Sequence, residues 1–371
     1  MTPDQQPGTA GADHHRLSFL DGLRGIAIFV VILFHSYTRW PKLLPFGDRF
    51  AHEPIFFYGW LGVDLFFLIS GFVIFMTLEK CLNFRDFISR RWLRLFPAML
   101  ICSLLVFASA SLFPERPAGA VVWRDMLPGL TFIEPTWWGA ILGSPQGFIE
   151  GSFWSLFVEV KFYFIAGVLF FLIGGRRMIM VLIMLFLFAA ALSKLQHIFP
   201  DGGLHWPDLV LRASSAEQFG WFASGALYYR YFHERKMPLL IAAVMVAIAA
   251  AIVIGGLRPE QTAAAMVVVI VFSAAVLMRP MQFLLSRPVL VFLGFVSYPL
   301  YLLHENMLVA MIVKIGHAMP WMPAILMPLL PIAAVIGAGS LIAVYIEPWL
   351  RKQLHPLYRK IRFLMGVAVP A

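Results

Sequence analysis

The chain is short of charge. Only 13% of its 371 residues are Asp, Glu, Lys or Arg, whereas 60% are hydrophobic, with 35 Phe and 11 Trp among them. A soluble domain carries about twice that share of charge, so an ordinary water-soluble enzyme is excluded. Cysteine is scarcer still. Cys81 and Cys102 stand alone, giving neither the even framework of a secreted disulfide scaffold nor a zinc-ligand spacing. They read as packing residues, and no metal site is expected. A third absence is a soluble stretch: apolar segments follow one another from residue 17, which leaves one membrane domain as the economical count. No internal repeat is visible, and the first apolar run has no small-residue cleavage signal behind it, so it is expected to be retained. The net charge of +9 would suit nucleic acid if the basic residues gathered on one soluble face, but they are dispersed between apolar runs. No nucleic-acid partner is expected.

What is there is a series of runs near the length of about 20 residues that a helix needs to cross a bilayer. They fall at 17–37, 55–78, 97–113, 152–173, 178–194, 218–232, 238–256, 262–278, 289–313 and 324–346. The expectation is an all-α integral membrane protein of about ten transmembrane helices. With that count the loops on the N-terminal side hold eighteen Lys and Arg and those on the other side nine, which makes both termini cytoplasmic by the positive-inside rule. Residues 1–15, polar and holding Pro and Gly, read as a disordered cytoplasmic tail. Residues 16–350 form the membrane domain and 351–371 a basic cytoplasmic tail. The longer loops, 114–151 and 195–217, lie on the outer side, where Trp137 and Trp138 suit either an interfacial belt or a sugar-stacking lip.

Polar residues inside spans are costly and point to function. The first run reads RLSFLDGLRGIAIFVVILFHSY from Arg16. Arg24 and His35 are eleven residues apart, almost whole helical turns, and so share a face about 16 Å apart. In the second span, GVDLFFLISGF places Asp64 in the outer half, either satisfying a buried cation or backbone group or serving a site, with Gly71 available for close helix packing. RRWLRLFP opens the third span. Arg91 and Arg94, three apart, are either juxtamembrane anchors or a pair converging on one phosphate. In SFWSLFVEVKFY, Ser152, Ser155, Glu159 and Tyr163 form one helical stripe, while Lys161 points about 200° away from Glu159. Finally, FVSYPLYLLHENM gathers Ser297, Tyr298, Tyr301 and His304 around Pro299, with His304 and Glu305 either in the site or at the outer interface.

These motifs, in this order, resemble the acyltransferase 3 family of membrane-bound acyltransferases over essentially the whole chain beyond its first fifteen residues. The mark of that family is Arg, ten residues, then His, as in Arg24 and His35. The resemblance implies that the Arg91, Arg94 motif meets the phosphates of a cytoplasmic acyl-coenzyme A. Family members commonly carry a second acid and an amide where this chain has Val160 and Lys161, which puts only that second acid's contribution in doubt. Some relatives hold a further soluble hydrolase-like domain, which is not expected here. The implied activity is O-acyl transfer, with acetyl from acetyl-coenzyme A moving to a hydroxyl of a carbohydrate, polysaccharide or glycolipid. The implied location is a bacterial inner membrane, and no tightly bound cofactor is expected.

The residues add their own support. His35, Asp64 and Glu159 count out to similar depth, and a histidine beside carboxylates suits general-base activation of an alcohol. The expected catalytic residues are therefore His35, Glu159 and Asp64. Arg24, Arg91 and Arg94 would bind the donor, and Ser155, Tyr163, Tyr301 and His304 would line the acceptor pocket. Direct transfer and an acyl-histidine intermediate both fit. A transporter or flippase for a lipid-linked sugar would use the same buried charges, though such proteins often show the internal symmetry missing here.

Overall fold

The computed structural model describes residues 9–198, 213–256 and 258–364, and among these every regular element is a helix. The principal ones are α1 (Thr9–Tyr37), α2 (Gly62–Glu79), α3 (Phe84–Ser109), α4 (Trp154–Ile173), α5 (Gly175–Ile198), α6 (Phe219–Glu234) and α7 (Met237–Gly255). There follow α8 (Pro259–Leu277), α9 (Arg279–Leu285), α10 (Pro288–Leu303), α11 (Asn306–Ala318), α12 (Leu329–Leu341) and α13 (Glu347–Leu364). Local sequence sets their ends. Asn83 caps α3 by accepting the Asp86 N–H at 2.9 Å. Proline sits in the first turn of α7, α8 and α10, where its missing N–H leaves no helical bond unmade.

Among the described residues eight helices are long and apolar enough to cross a membrane, or nine if the α9–α10 pair, bent by 65°, is one span. By length and apolarity alone about ten is not confirmed, and two expected spans account for the difference. α6 has 16 residues, short of the roughly 20 a crossing needs, and it is wrapped by other helices along almost its whole length. The expected span 289–313 is two helices, because the chain breaks at His304 and Glu305 between α10 and α11. Large apolar side chains face outward around the bundle, among them Leu172, Phe188, Ile241, Ile270 and Leu330. In a chain with this many apolar helices such a belt is what a bilayer covers, and the protein is a multi-pass membrane protein.

Helix reaches into both stretches expected as tails. α1 is helical from Thr9, so helix occupies part of the 1–15 stretch read as disordered, and residues 1–8 lie outside the described residues. α13 continues the helix through residues expected as a basic tail as far as Leu364, and 365–371 again lie outside. Most of the expected 195–217 loop falls at 199–212, also outside. Cys81 and Cys102 are free and buried, as packing residues should be.

We call the face where α1 starts the lower face and the one where it ends the upper. α1 packs along α10 and α2, and α2 in turn along α6. Both tight crossings depend on glycine. A Cβ on Gly294 would strike the Asp21 carbonyl of α1, and one on Gly71 the Phe222 carbonyl of α6. The close approach expected for Gly71 is present, and it lets a polar interior form between α1, α2, α3, α4 and α10.

Candidate active site

Three adjoining cavities run through this interior. The lower one is lined by Asp21, Arg24, Arg94, Tyr298, Glu347 and Arg351. The middle one shares Arg24, Arg94 and Tyr298 with it and adds Ser70, Arg91, Glu159 and Tyr163. The upper one meets the middle at Val63 and Tyr301 and holds His35, Asp64, Ser152 and Glu305.

His35 sits in the last turn of α1, one wall of the upper cavity. Its Nδ1 lies 2.9 Å from the Val31 carbonyl and 3.2 Å from His304 Nε2. The His304 Nδ1 lies 2.8 Å from the Tyr301 carbonyl. Carbonyls only accept, so in the neutral rings both Nδ1 atoms carry the hydrogen and His304 Nε2 is an acceptor for His35 Nδ1–H. One consequence follows for His35: its Nε2 keeps a bare lone pair. The Glu305 carboxylate approaches that nitrogen to 3.7 Å. Thus the histidine has two neighbours from the α10–α11 break, and they fix its tautomer from one side and its charge environment from the other.

The break is itself built from polar groups. Ser152 donates to the Tyr301 carbonyl at 3.3 Å, so this backbone oxygen freed by the interruption is satisfied twice. Behind Glu305, Asn306 donates from its backbone N–H and its side chain to Glu150 at 3.1 and 2.9 Å. It also accepts from the Ala118 N–H at 2.9 Å, and Arg116 donates to the Ile149 carbonyl at 2.5 Å. Glu150 precedes the fourth span and is fully buried. Burial first, and the neighbouring Glu305 charge second, push its carboxyl well above the usual carboxylate range. Glu150 Oε1 and Glu305 Oε2 are buried without a hydrogen-bond partner among the described residues. Gly151 leaves them room, since a Cβ there would lie 2.6 Å from Glu305 Oε2.

The middle cavity has a different character. Glu159 Oε1 accepts from Ser70 at 2.5 Å and from Tyr163 at 2.6 Å. Arg91 donates to Thr77 at 3.2 Å and leaves its buried Nε unpartnered. Arg24 pairs with Asp21 at 3.0 Å, one turn earlier on α1. Ser155 and Tyr301 join hydroxyls at 2.6 Å, and Tyr301 donates onward to the Ser152 carbonyl at 3.0 Å. Tyr301 therefore forms the partition between the His35 cavity and the arginine cavity.

The structure divides the expected site residues between the two cavities. Asp64 does line the His35 cavity, buried beside the Trp221 indole. Glu159 does not reach it. It lies five residues into α4, about 7.5 Å below that helix's start, whereas His35 is two residues from the end of α1. Glu159 thus belongs with Arg24, Arg91 and Arg94, as does Tyr163, and it cannot orient His35 as the depth count implied. Lys161 does point away from it, pairing with Glu134 at 2.6 Å. Sequence reasoning missed Glu150, Asn306, Arg116 and Ser70, and left Glu305 between site and interface. The signal for Glu305 was the polar run His304, Glu305, Asn306 inside an apolar segment.

Comparison with known proteins supplies the family. The acyltransferase domain family matches residues 17–347 of the chain. The chain belongs to this acyltransferase 3 family. A Bacillus subtilis (strain 168) protein named "Putative peptidoglycan O-acetyltransferase YrhL" is 32% identical over 167 residues, 41% of this chain and 23% of its own length. A Staphylococcus aureus (strain COL) protein named "Putative O-acetyltransferase" is 31% identical over 156 residues, 39% of this chain and 23% of its own length. A third, "Putative membrane-bound transacylase BcsY" of Komagataeibacter xylinus, is 31% identical over 172 residues, 43% of this chain and 40% of its own length. The first two matches span less than a quarter of those relatives. No solved structure matches the chain.

Proposed function

We propose that this protein is a membrane-bound O-acyltransferase that moves an acetyl group from acetyl-coenzyme A to a hydroxyl of a carbohydrate, polysaccharide or glycolipid. The observation that carries the proposal is His35, with Nδ1 engaged and Nε2 left free to take a proton, lining a cavity that adjoins a second one lined by three arginines. A phosphorylated donor would be held by Arg24, Arg91 and Arg94, with its pantetheine arm reaching past Tyr301 toward His35. The arrangement needs the lower face to be cytoplasmic, where acyl-coenzyme A is made, and the excess of basic residues on that side supports it. A bacterial inner membrane is the setting that the named relatives favour.

In the transfer step His35 Nε2 takes the proton of the acceptor hydroxyl while its oxygen bonds to the thioester carbonyl carbon. The carbon–sulfur bond breaks, and the departing coenzyme thiolate takes the proton from the imidazolium. Glu305, beside Nε2, stabilises the positive charge that the ring carries between those events, and His304 holds the ring in place. Glu159, bonded to Ser70 and Tyr163, shapes the donor channel. A family of acyltransferases does not fit a flippase, and the His35 tautomer has no evident use in one.

The test is incubation of the purified, detergent-solubilised protein with acetyl-labelled acetyl-coenzyme A and glycans of the producing cell. Release of coenzyme A coupled to label appearing on glycan is the expected result. Donor consumption that is independent of every acceptor, or none at all, counts against the proposal.

A further inference from the structure

The lower cavity is not needed to hold a thioester near His35, yet it is built of paired and unpaired charge. Arg24 is tied to Asp21, and Arg351 to Glu347 through both Nε, at 2.9 Å, and Nη2. Arg351 also donates to the Arg94 carbonyl at 3.1 Å, fastening α13 to α3. The Arg94 side chain lines both the lower and the middle cavity and forms no ion pair among the described residues. Three guanidiniums thus surround one opening against two carboxylates. Immediately before Glu347 the chain makes a π-helical turn, Ile342–Ile346, a form concentrated at functional positions.

We propose that the lower cavity is the cradle for the phosphorylated nucleotide end of the donor, and that Arg351 is a donor-binding residue held ready by Glu347. This rests on the reading of acyl-coenzyme A as donor. The pantetheine arm is neutral, so the phosphates are the part of the donor that guanidiniums recognise, and Arg suits phosphate by its planar fork. Asp21 and Glu347 supply there the negative charge that the phosphates would bring. Glu347 is then a competitor: it positions Arg351 but repels the ligand.

The experiment measures equilibrium binding of coenzyme A and of pantetheine to the full chain in neutral detergent. Arg351→Ala is expected to raise the Kd for coenzyme A about tenfold, in the range lost with one charge-assisted bond, and to narrow the gap between coenzyme A and pantetheine. Glu347→Gln should tighten coenzyme A several-fold, an outcome that a damaged fold does not give. Arg351→Lys, which keeps the charge, should fall between wild type and alanine. An unchanged Kd for coenzyme A in Arg351→Ala, or equal weakening of both ligands, overturns the cradle while the donor reading stands. A wild-type protein that binds no coenzyme A overturns both. Binding of phosphatidylglycerol vesicles that is lost in Arg351→Ala while coenzyme A binding persists assigns the arginine to a lipid phosphate and also overturns the cradle.

Discussion

The two halves of the polar interior handle charge in opposite ways. Around His35 most of the groups are held by one another: ring to ring, ring to carbonyl, amide to carboxylate, with Glu150 and Asn306 behind Glu305 and one oxygen of each carboxyl left over. Around the arginines the cationic groups are under-committed: among the described residues one buried Arg91 nitrogen has no hydrogen-bond partner and Arg94 forms no ion pair. Preorganisation suits the place where a transition state is stabilised, because dipoles already aimed there need no reorganisation when charge develops. Uncommitted cations suit a place where a ligand must supply the counter-charge. One region should therefore control turnover and the other donor affinity, and each prediction tests that division.

The largest effect is expected at His35. His35→Ala should lower kcat by about 10³-fold or more, near the range for loss of a positioned general base, while the donor KM stays near normal. Steady-state rates on correctly inserted protein decide this. A variant that keeps near-normal turnover removes the imidazole from the reaction.

Next are Arg91 and Arg94 together. Their double replacement by Ala should raise the donor KM about 10²-fold, as two charge-assisted contacts are lost, and leave the acceptor KM unchanged. Lysines should restore only part of the loss, because an ammonium lacks the two-point fork. Full rescue by Lys assigns the pair to membrane anchoring and breaks the comparison at its lower end.

Glu305→Gln should be milder, a fall of about tenfold in kcat with little change in either KM. The amide keeps the shape beside His35 Nε2 but not the charge that stabilises the imidazolium. If KM rises instead, Glu305 serves acceptor binding.

How legible was this in the sequence? The Arg24 and His35 pairing was readable because both lie on one continuous helix, where an eleven-residue interval fixes face and separation. The shared face of Arg91 and Arg94 was likewise readable from their three-residue spacing on one helix. Glu159 was grouped with His35 because depth along a helix does not say which cavity a side chain enters. It lines the middle cavity beside Ser70, a partner on another helix that no local pattern announces. Glu305 was ambiguous for a related reason. It sits in a two-residue break whose value depends on α1 ending beside it, a long-range fact. α6 reads as a span by its composition, and its apolar faces are spent on other helices, which no local pattern announces.

The smallest expected effect concerns the support behind Glu305. Glu150 lies just outside the fourth span, and its carboxyl is pushed up by burial and by the Glu305 charge. The folded protein therefore holds this proton more tightly than the unfolded chain does. By linkage, the stability that comes from the protonated form is fully present below the unfolded value of about 4.3 and is lost as pH rises through the folded value. Glu150→Gln carries the neutral form at every pH, and its amide oxygen can still accept from Asn306. Thermal melts in detergent between about pH 5 and about pH 9 should show Tm falling with pH more steeply in wild type than in the variant, with the two nearest at the acid end. Parallel curves mean that Glu150 is ionised in the folded protein, with Arg116 rather than a bound proton offsetting its charge. In that case the ordered upper network carries two negative carboxyl groups, and the contrast with the arginine cavity becomes one of charge sign instead of commitment.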